Sequence, residues 1–447
     1  MRAMKILPAI ALVAASAVCA ETSAIINVSV IPMTSETVLP SRTVIVTEGR
    51  ISMIGNVDEV PVPEGSRVID GTDRYLIPGL AEMHGHVPGA NSANLERILG
   101  LYVANGITTV RGMLGQPSHL ELRASILEHA TLGPRLVTSG PSLNGSSVSS
   151  PAQAIELVEQ QHAAGYDFLK IHPGLTRDEF DAMAAAADRV GMRFAGHVPQ
   201  DVGLERALAA GIATIDHLDG YMEALLRPHD DPSGGLGGFF GVFIADQADE
   251  SKITSIAAAT AAAGVWVVPT DALFRHATSP ETDPDALARR PEMQYMPEGT
   301  VARWRNSKRD LQADPNYRRE TALRAIAIRQ RLILALHRAG AGVLLGSDAP
   351  QIFNVPGFAA HHELEYLVDA GLTPYEALAT GTVNPAKFFG QADRFGTVQT
   401  GRDADLVLLD ANPLDAIENS RRIHGVMLRG RWLSRVDLDE LLEQFER

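Results

Sequence analysis

Between Leu76 and about Gly390 the chain alternates short β-branched runs with alanine-rich helical stretches. No other feature limits the fold as strongly. Candidate strands are LIPGLAEMHGHV (76–87), TTVRG (108–112), RLVTSG (135–140), FLKIH (168–172), RFAGHVP (193–199), TIDHLDG (214–220), VWVVPT (265–270) and VLLGSDAP (343–350). Helical stretches such as TRDEFDAMAAAADRV (176–190) follow most of them. Parallel strands need long crossovers, and helices supply these. Eight strands with intervening helices predict an α/β fold, a TIM-like (β/α)8 barrel over 76–390.

Both chain ends have a different texture. Residues 21–75 carry β-branched runs broken by turn signals, such as Val44-Ile45-Val46, Glu48-Gly49-Arg50 and Ile51-Ser52-Met53-Ile54. Residues 391–447 repeat the pattern in ADLVLLDANP and in GVMLRGRWLSR, a hairpin with Arg429-Gly430 at its turn. The two ends are expected to form one small β-sandwich, since chain termini often lie close together.

Residues 1–20 read as an export signal. Arg2 and Lys5 precede an apolar run, residues 6–18, and cleavage is placed after Ala20. The run is shorter than the roughly 20 residues that span a bilayer. A lipid anchor on Cys19 would want a small residue before it, and Val18 is not small; a membrane anchor is the remaining alternative. A periplasmic or secreted location is expected, and cleavage removes the only cysteine, so no disulfide forms. The 447-residue chain carries a formal charge of −15 and only 5% aromatic residues. That argues against nucleic acid, which repels an acidic surface and calls for stacking platforms. No later stretch suits a membrane span. A small-molecule substrate is the expected partner, and a homo-oligomer stays open.

Two long insertions follow strands. Residues 221–250 hold a glycine-rich run, Ser233 to Gly241, and 271–317 are rich in proline, arginine and acid. At the C-terminal face of a barrel such insertions serve as lids or specificity loops. ARRPEMQYMPEGTVARWRNSKR (288–309) reads either as a mobile lid or as a solvated surface insertion.

The chemistry sits at strand ends. His84 and His86 lie two apart on the first strand, so both imidazoles point to one side. Lys170 ends the fourth strand, His197 the fifth, His217 the sixth and Asp348 the eighth. Singly, each has a bland reading: a core histidine, a strand lysine, a helix-capping aspartate. Together they place four histidines, a lysine and an aspartate at one end of the predicted barrel, where they can share metal ions. A buried lysine can lose its proton and react with CO2, and the carbamate formed is an anion able to bridge two ions.

On PGLAEMHGHV, the Lys170 strand, FAGHVP, IDHLDG, LLGSDAP, VNPAKFFG (383–390) and GTVQTGRDADLVLLDANP (396–413), the chain resembles the metal-dependent amidohydrolase superfamily in its binuclear, carboxylated-lysine subtype. Within it the chain looks most similar to imidazolonepropionase-like and Xaa-Pro dipeptidase-like hydrolases. Arg111-Gly112 departs from the Arg-Asp that such relatives often carry. The resemblance implies that His84, His86 and Asp348 bind one ion, His197 and His217 a second, and carboxylated Lys170 bridges them. A hydroxide between two divalent ions, Zn2+ by ligand type and Mn2+, Co2+ or Fe2+ also compatible, would attack a C–N bond. Asp348 would serve as general base and then acid. The implied substrate is an N-acyl amino acid, dipeptide or cyclic amide. Alternatives are a lactone, ester or phosphotriester hydrolysed at the same ions, or a non-catalytic barrel scaffold.

The surrounding residues are less constrained. Period two carries the inward direction from Lys170 to His172 and from His217 to Asp219. His172 is a candidate substrate or carbamate contact, or a rim histidine that only packs. Tyr221 is a candidate oxyanion donor or a packing residue. Arg111, Arg275 and His276, at or after strand ends, are candidate contacts for a substrate carboxylate, though for any one of them surface salt bridging is the readier reading. His361, His362 and Glu363 read as solvated or helix-capping.

Overall fold

The computed structural model describes residues 22–227 and 237–447. The expected export signal and the first part of the glycine-rich run, 233–236, lie outside the described residues. Among the described residues, no helix is long and apolar enough to cross a membrane.

Five strands open the chain: β1 (Thr22–Val30), β2 (Leu39–Thr47), β3 (Arg50–Asn56), β4 (Arg67–Asp70) and β5 (Tyr75–Pro78). Three close it: β13 (Leu406–Leu409), β14 (Ile423–Leu428) and β15 (Arg431–Ser434). They share one sheet in the order β15-β14-β13-β5-β1-β2-β3, with β4 on β1. The seam between the ends is the antiparallel pair β13–β5, from Leu406 opposite Pro78 to Leu409 opposite Tyr75. The sequence predicts a sandwich; the hydrogen bonds describe one continuous sheet. It buries Val28, Val44, Leu76, Leu406, Met427 and Trp432 in a common cluster. Between β14 and β15, Arg429 (φ +47°) and Gly430 (φ +86°) form the turn, as the positive dihedrals of a two-residue hairpin loop require.

Seven strands lie between the ends: β6 (Leu80–Gly85), β7 (Ile107–Gly112), β8 (Arg135–Thr138), β9 (Leu169–Ile171), β10 (Phe194–Gly196), β11 (Thr214–Asp216) and β12 (Trp266–Val268). All their mutual pairings are parallel: β6-β7-β8 in one sheet and β9-β10-β11-β12 in another. Parallel bridges link the two sheets on both sides. Ser139 pairs with Phe168, Val267 with Val343, and Ala349 with Gly85. The pairing therefore returns to β6 through segment 343–349, and all eight C-terminal ends face the same way.

The helices between them have local causes. Helix Arg177–Val190 starts at a capping box in which Thr176 and Glu179 exchange side-chain and backbone bonds, and it stops at Gly191 in the left-handed conformation. Its buried face, Phe180, Met183, Ala184 and Ala187, meets the ring. These residues recur at three- and four-residue intervals, as one helix face requires.

The 271–317 insertion is folded onto the protein. Helix Glu298–Ala313 buries Val301 and Trp304 in a cluster with Met293, Met296, Phe353, Val355 and Phe445. Of the two readings of 288–309, the solvated insertion is corrected by these apolar anchors. Lys308, fully buried, donates to the carbonyls of His276 and Ser279 and to Thr282 Oγ1. The reading of His361 and Glu363 as solvated is corrected too. His361 is buried between Ser420 Oγ and the Asn105 carbonyl, and Glu363 is buried under the backbone N–H of Ala272. His362 pairs with Glu292 at 3.1 Å.

Candidate metal centre

Every strand-end candidate falls at the same end of the ring. His84 lies within β6, and Lys170 within β9. His197 follows β10 directly, His217 follows β11, and Asp348 lies in segment 343–349. Their side chains meet. His86 Nε2 stands 2.7 Å from Asp348 Oδ1, and His84 Nε2 stands 3.6 Å from the same oxygen. His217 Nδ1 is 3.7 Å from Asp348 Oδ2. The His84 and His217 rings are 4.5 Å apart, and His217 and His197 4.7 Å. One ligand atom from each of His84, His86 and Asp348 fits within 4.8 Å of the others.

Backbone geometry brings these groups inward. His217 (φ +64°) and Asp348 (φ +60°) adopt the left-handed region, which non-glycine residues seldom enter and which concentrates at functional sites. Gly196, at φ +128°, precedes His197; a Cβ there would press 2.4 Å from the Ile171 carbonyl and 3.0 Å from Lys170 Cδ. A cradle that tight admits only glycine beside the lysine.

Sequence reasoning overlooked two buried carboxylates. Asp216 Oδ2 lies 3.0 Å from His84 Nδ1 and 3.7 Å from Lys170 Nζ, while Oδ1 accepts from Arg111 and Thr214. Glu82 accepts from the backbone N–H groups of His84 and Ser347 and from Ser347 Oγ, tying β6 to segment 343–349. Burial pushes its carboxyl up to about 7. Asp219 accepts from Val198 N–H and lies 3.0 Å from His197 Nδ1, so it orients that imidazole. Burial raises its carboxyl to about 6.

The electrostatics favour neutral ligands. Burial lowers His197 and His172 to about 3 and drives His84 and His217 well below the ordinary histidine range. Neutral imidazole is the form that binds metal. Burial also lowers Lys170, against the pull of Asp216 and Asp348. Five buried polar atoms here make no well-aligned hydrogen bond, although two pairs approach closely (His84 Nδ1 to Asp216 Oδ2 at 3.0 Å, His86 Nε2 to Asp348 Oδ1 at 2.7 Å): His84 Nδ1, Lys170 Nζ, His172 Nδ1, Asp216 Oδ2 and Asp348 Oδ1. Such groups are costly unless something satisfies them. Nitrogen and carboxylate donors held this way fit divalent metal ions of the zinc type.

The surrounding candidates separate. His172 stacks on His197 at 5.0 Å and belongs to the cluster. The other four are engaged elsewhere. Arg111 is buried inside the ring and spends its donors on the Met83 carbonyl, Thr214 and Asp216. Arg275 bonds Asp271 and Asp369 and lies over the Tyr366 ring. Tyr221 packs away from the cluster, its hydroxyl on Thr260. His276 is held between Asn354 and Arg290. Arg275 is thus ion-paired and Tyr221 packed, while Arg111 reaches the cluster through Asp216. A residue not anticipated, Phe240, lays its ring over His217 at 4.8 Å and 21°.

The amidohydrolase family model matches residues 75–433. The chain is 24% identical over 405 residues to adenine deaminase 3 of Rhizobium meliloti (strain 1021), covering 89% of this chain and 55% of that protein. It thus spans about half the length of that relative. It is 30% identical over 105 residues, 22% of each chain, to the imidazolonepropionase of Shouchella clausii (strain KSM-K16). A solved Xaa-Pro dipeptidase with bound methionine superposes with a TM-score of 0.65 at 19% identity, over 93% of this chain and all (100%) of that one. With the family model running from β5 into β15, the chain belongs to the amidohydrolase family.

Proposed function

We propose that the chain is a metal-dependent hydrolase that cleaves a C–N bond of a small molecule at the C-terminal mouth of a (β/α)8 barrel. The observation that carries this reading is the set of five unsatisfied buried polar atoms gathered beside His86, His197 and His217. Two of the similar proteins, the deaminase and the dipeptidase, are named for breaking C–N bonds. His84, His86 and Asp348 would hold one divalent ion, His197 and His217 a second, and Lys170, carboxylated at Nζ, would join both. When bound, such ions acidify water towards a pKa of about 7 and polarise a carbonyl.

The chain's own residues do the rest. Asp348, touching His86 and His84, takes the proton of the attacking water and returns it to the leaving nitrogen. Asp219 fixes the His197 ring, and Glu82 fixes the backbone of His84 and Ser347. Phe240 covers the histidines and excludes water on that side.

The test is metal analysis combined with a substrate panel of N-acyl amino acids, Xaa-Pro dipeptides, cyclic amides, lactones and paraoxon. Expected are up to two ions per chain and amide hydrolysis that a chelator abolishes and Zn2+, Mn2+ or Co2+ restores. Absence of metal after metal-replete growth, or activity indifferent to chelation, would overturn the reading. Turnover confined to lactones or paraoxon would replace the C–N assignment while keeping the site.

A further inference from the structure

A cavity of about 350 Å3 opens beside His86. One wall comes from the segment after β6 and from helix Leu95–Ala104, which contributes Arg97. The opposite wall is the folded insertion, which contributes Met296, Arg303 and Trp304. Leu114, 39% exposed, is one of the few large apolar side chains left open to solvent, and it lines the same space. The cavity is therefore apolar in its walls and reaches a candidate ligand at one end.

Its two guanidiniums are unlike the arginines that the sequence singled out. Arg111 and Arg275 are ion-paired. Arg97 bonds only the neutral Asn94 Oδ1, and its Nε is buried with no partner. Arg303, on the exposed side of its helix, bonds only the neutral Thr300 Oγ1. Among the described residues neither has a carboxylate partner, although the chain carries 54 acidic residues against 39 basic ones. An arginine kept free of internal anions beside a reactive site is suited to an anion on the substrate, which its planar fork can grip bidentately.

We infer that this cavity is the substrate's acid subsite: Arg97 and Arg303 receive a carboxylate, and Leu114, Met296 and Trp304 receive the apolar side chain beside it. The inference rests on the hydrolase reading above and narrows it to N-acylated or N-aminoacylated amino acids with apolar side chains. In these the carboxylate carbon lies two bonds from the scissile nitrogen, and the cavity that holds the arginines is also lined by His86. The insertion thereby acts as a specificity element.

The test uses the full metal-loaded chain and two probes, N-acetyl-L-leucine and its primary amide, N-acetyl-L-leucinamide, in titration calorimetry and in a hydrolysis assay. The native protein should bind the acid about tenfold or more tightly than the amide. Arg97→Gln/Arg303→Gln should bring the two within about twofold, with circular dichroism and metal content unchanged. The matching double lysine variant, which keeps charge but loses the fork, should fall between. Equal binding of acid and amide by the native protein, no binding of the acid at millimolar concentration, or a preference that survives in the glutamine variant would overturn the subsite. Preferential binding of the acid without any turnover would count against the hydrolase reading and leave the subsite standing. Turnover of both probes without discrimination would do the reverse.

Discussion

His84 Nδ1 and Asp216 Oδ2 lie 3.0 Å apart at the floor of the site, and both side chains are fully buried. The carboxylate's charge beside Nδ1 favours a proton on that nitrogen, and Nε2 faces Asp348 and His86. Its other oxygen pairs with the buried Arg111. Asp216→Asn is therefore expected to weaken metal binding about 10–100-fold, the range for loss of such an orienting partner. It should also destabilise the fold by about 3–5 kcal/mol, because the Arg111 charge loses its counter-ion. Adding Arg111→Met should recover much of the stability but none of the metal affinity. Denaturant unfolding and metal titration on the single and double variants separate the two effects; recovery of both together would show that Asp216 acts only through Arg111.

Lys170 is fully buried, and its Nζ has no hydrogen-bond partner. Burial lowers its pKa, which favours the neutral amine that attacks CO2. Lys170→Ala should lose the second metal equivalent and nearly all turnover. Short carboxylic acids, small enough to enter the space vacated by the side chain, should restore part of both. Mass spectrometry under gentle conditions should find 44 Da of added mass, about one CO2, on the native chain only (carbamate formation is reversible and pH-dependent). Full metal content in the alanine variant would remove the bridging role.

The ring of strands was legible because each parallel strand carries its own apolar run and is set off by a helix. The His84, His86, Lys170, His197, His217 and Asp348 positions were legible because a strand-end polar group inside an apolar run is visible from sequence. Asp216 was not. Strict alternation sends it to the side opposite His217, and only the left-handed turn at His217 lets both side chains reach the interior. Glu82 was within reach of sequence, since it precedes His84 by two and shares its face. Arg111, Arg275 and His276 left two readings open because an arginine or histidine at a strand end looks the same in sequence whether or not a distant carboxylate or amide claims it. Asp216, Asp369 and Asn354 are 105, 94 and 78 residues away, respectively.

Phe240 sits at φ +49° with its ring 4.8 Å from His217 and 6.1 Å from His197. A bulky residue held in that conformation costs energy that its contacts must offset. Phe240→Ala should leave metal content unchanged and raise KM about 3–10-fold, the equivalent of the roughly 0.5–1.5 kcal/mol that an aromatic contact contributes. Lowered metal content at constant KM would show instead that the ring only steadies His217.

Glu363 lies behind the site. It is fully buried, with one oxygen on the backbone N–H of Ala272 and the other unpartnered, close to Asp271. Burial, with Asp271 adding to it, raises its carboxyl from 4.5 to about 8. The native state thus keeps a proton that the unfolded chain releases near 4.5. Between those values the folded state binds more protons, so this group's contribution to stability falls as pH rises from about 4.5 to about 8 and levels off above that. Glu363→Gln supplies a neutral amide of the same shape and has no proton to lose. The variant should match the native protein in stability at pH 4.5 and exceed it increasingly up to pH 8, by on the order of a few kcal/mol. Denaturant unfolding of both proteins across that range measures the difference directly, with every other titrating group common to the pair. A constant difference would mean that Glu363 ionises alike in both states, and a difference shrinking with pH would mean that Arg329 stabilises its charged form in spite of Asp271.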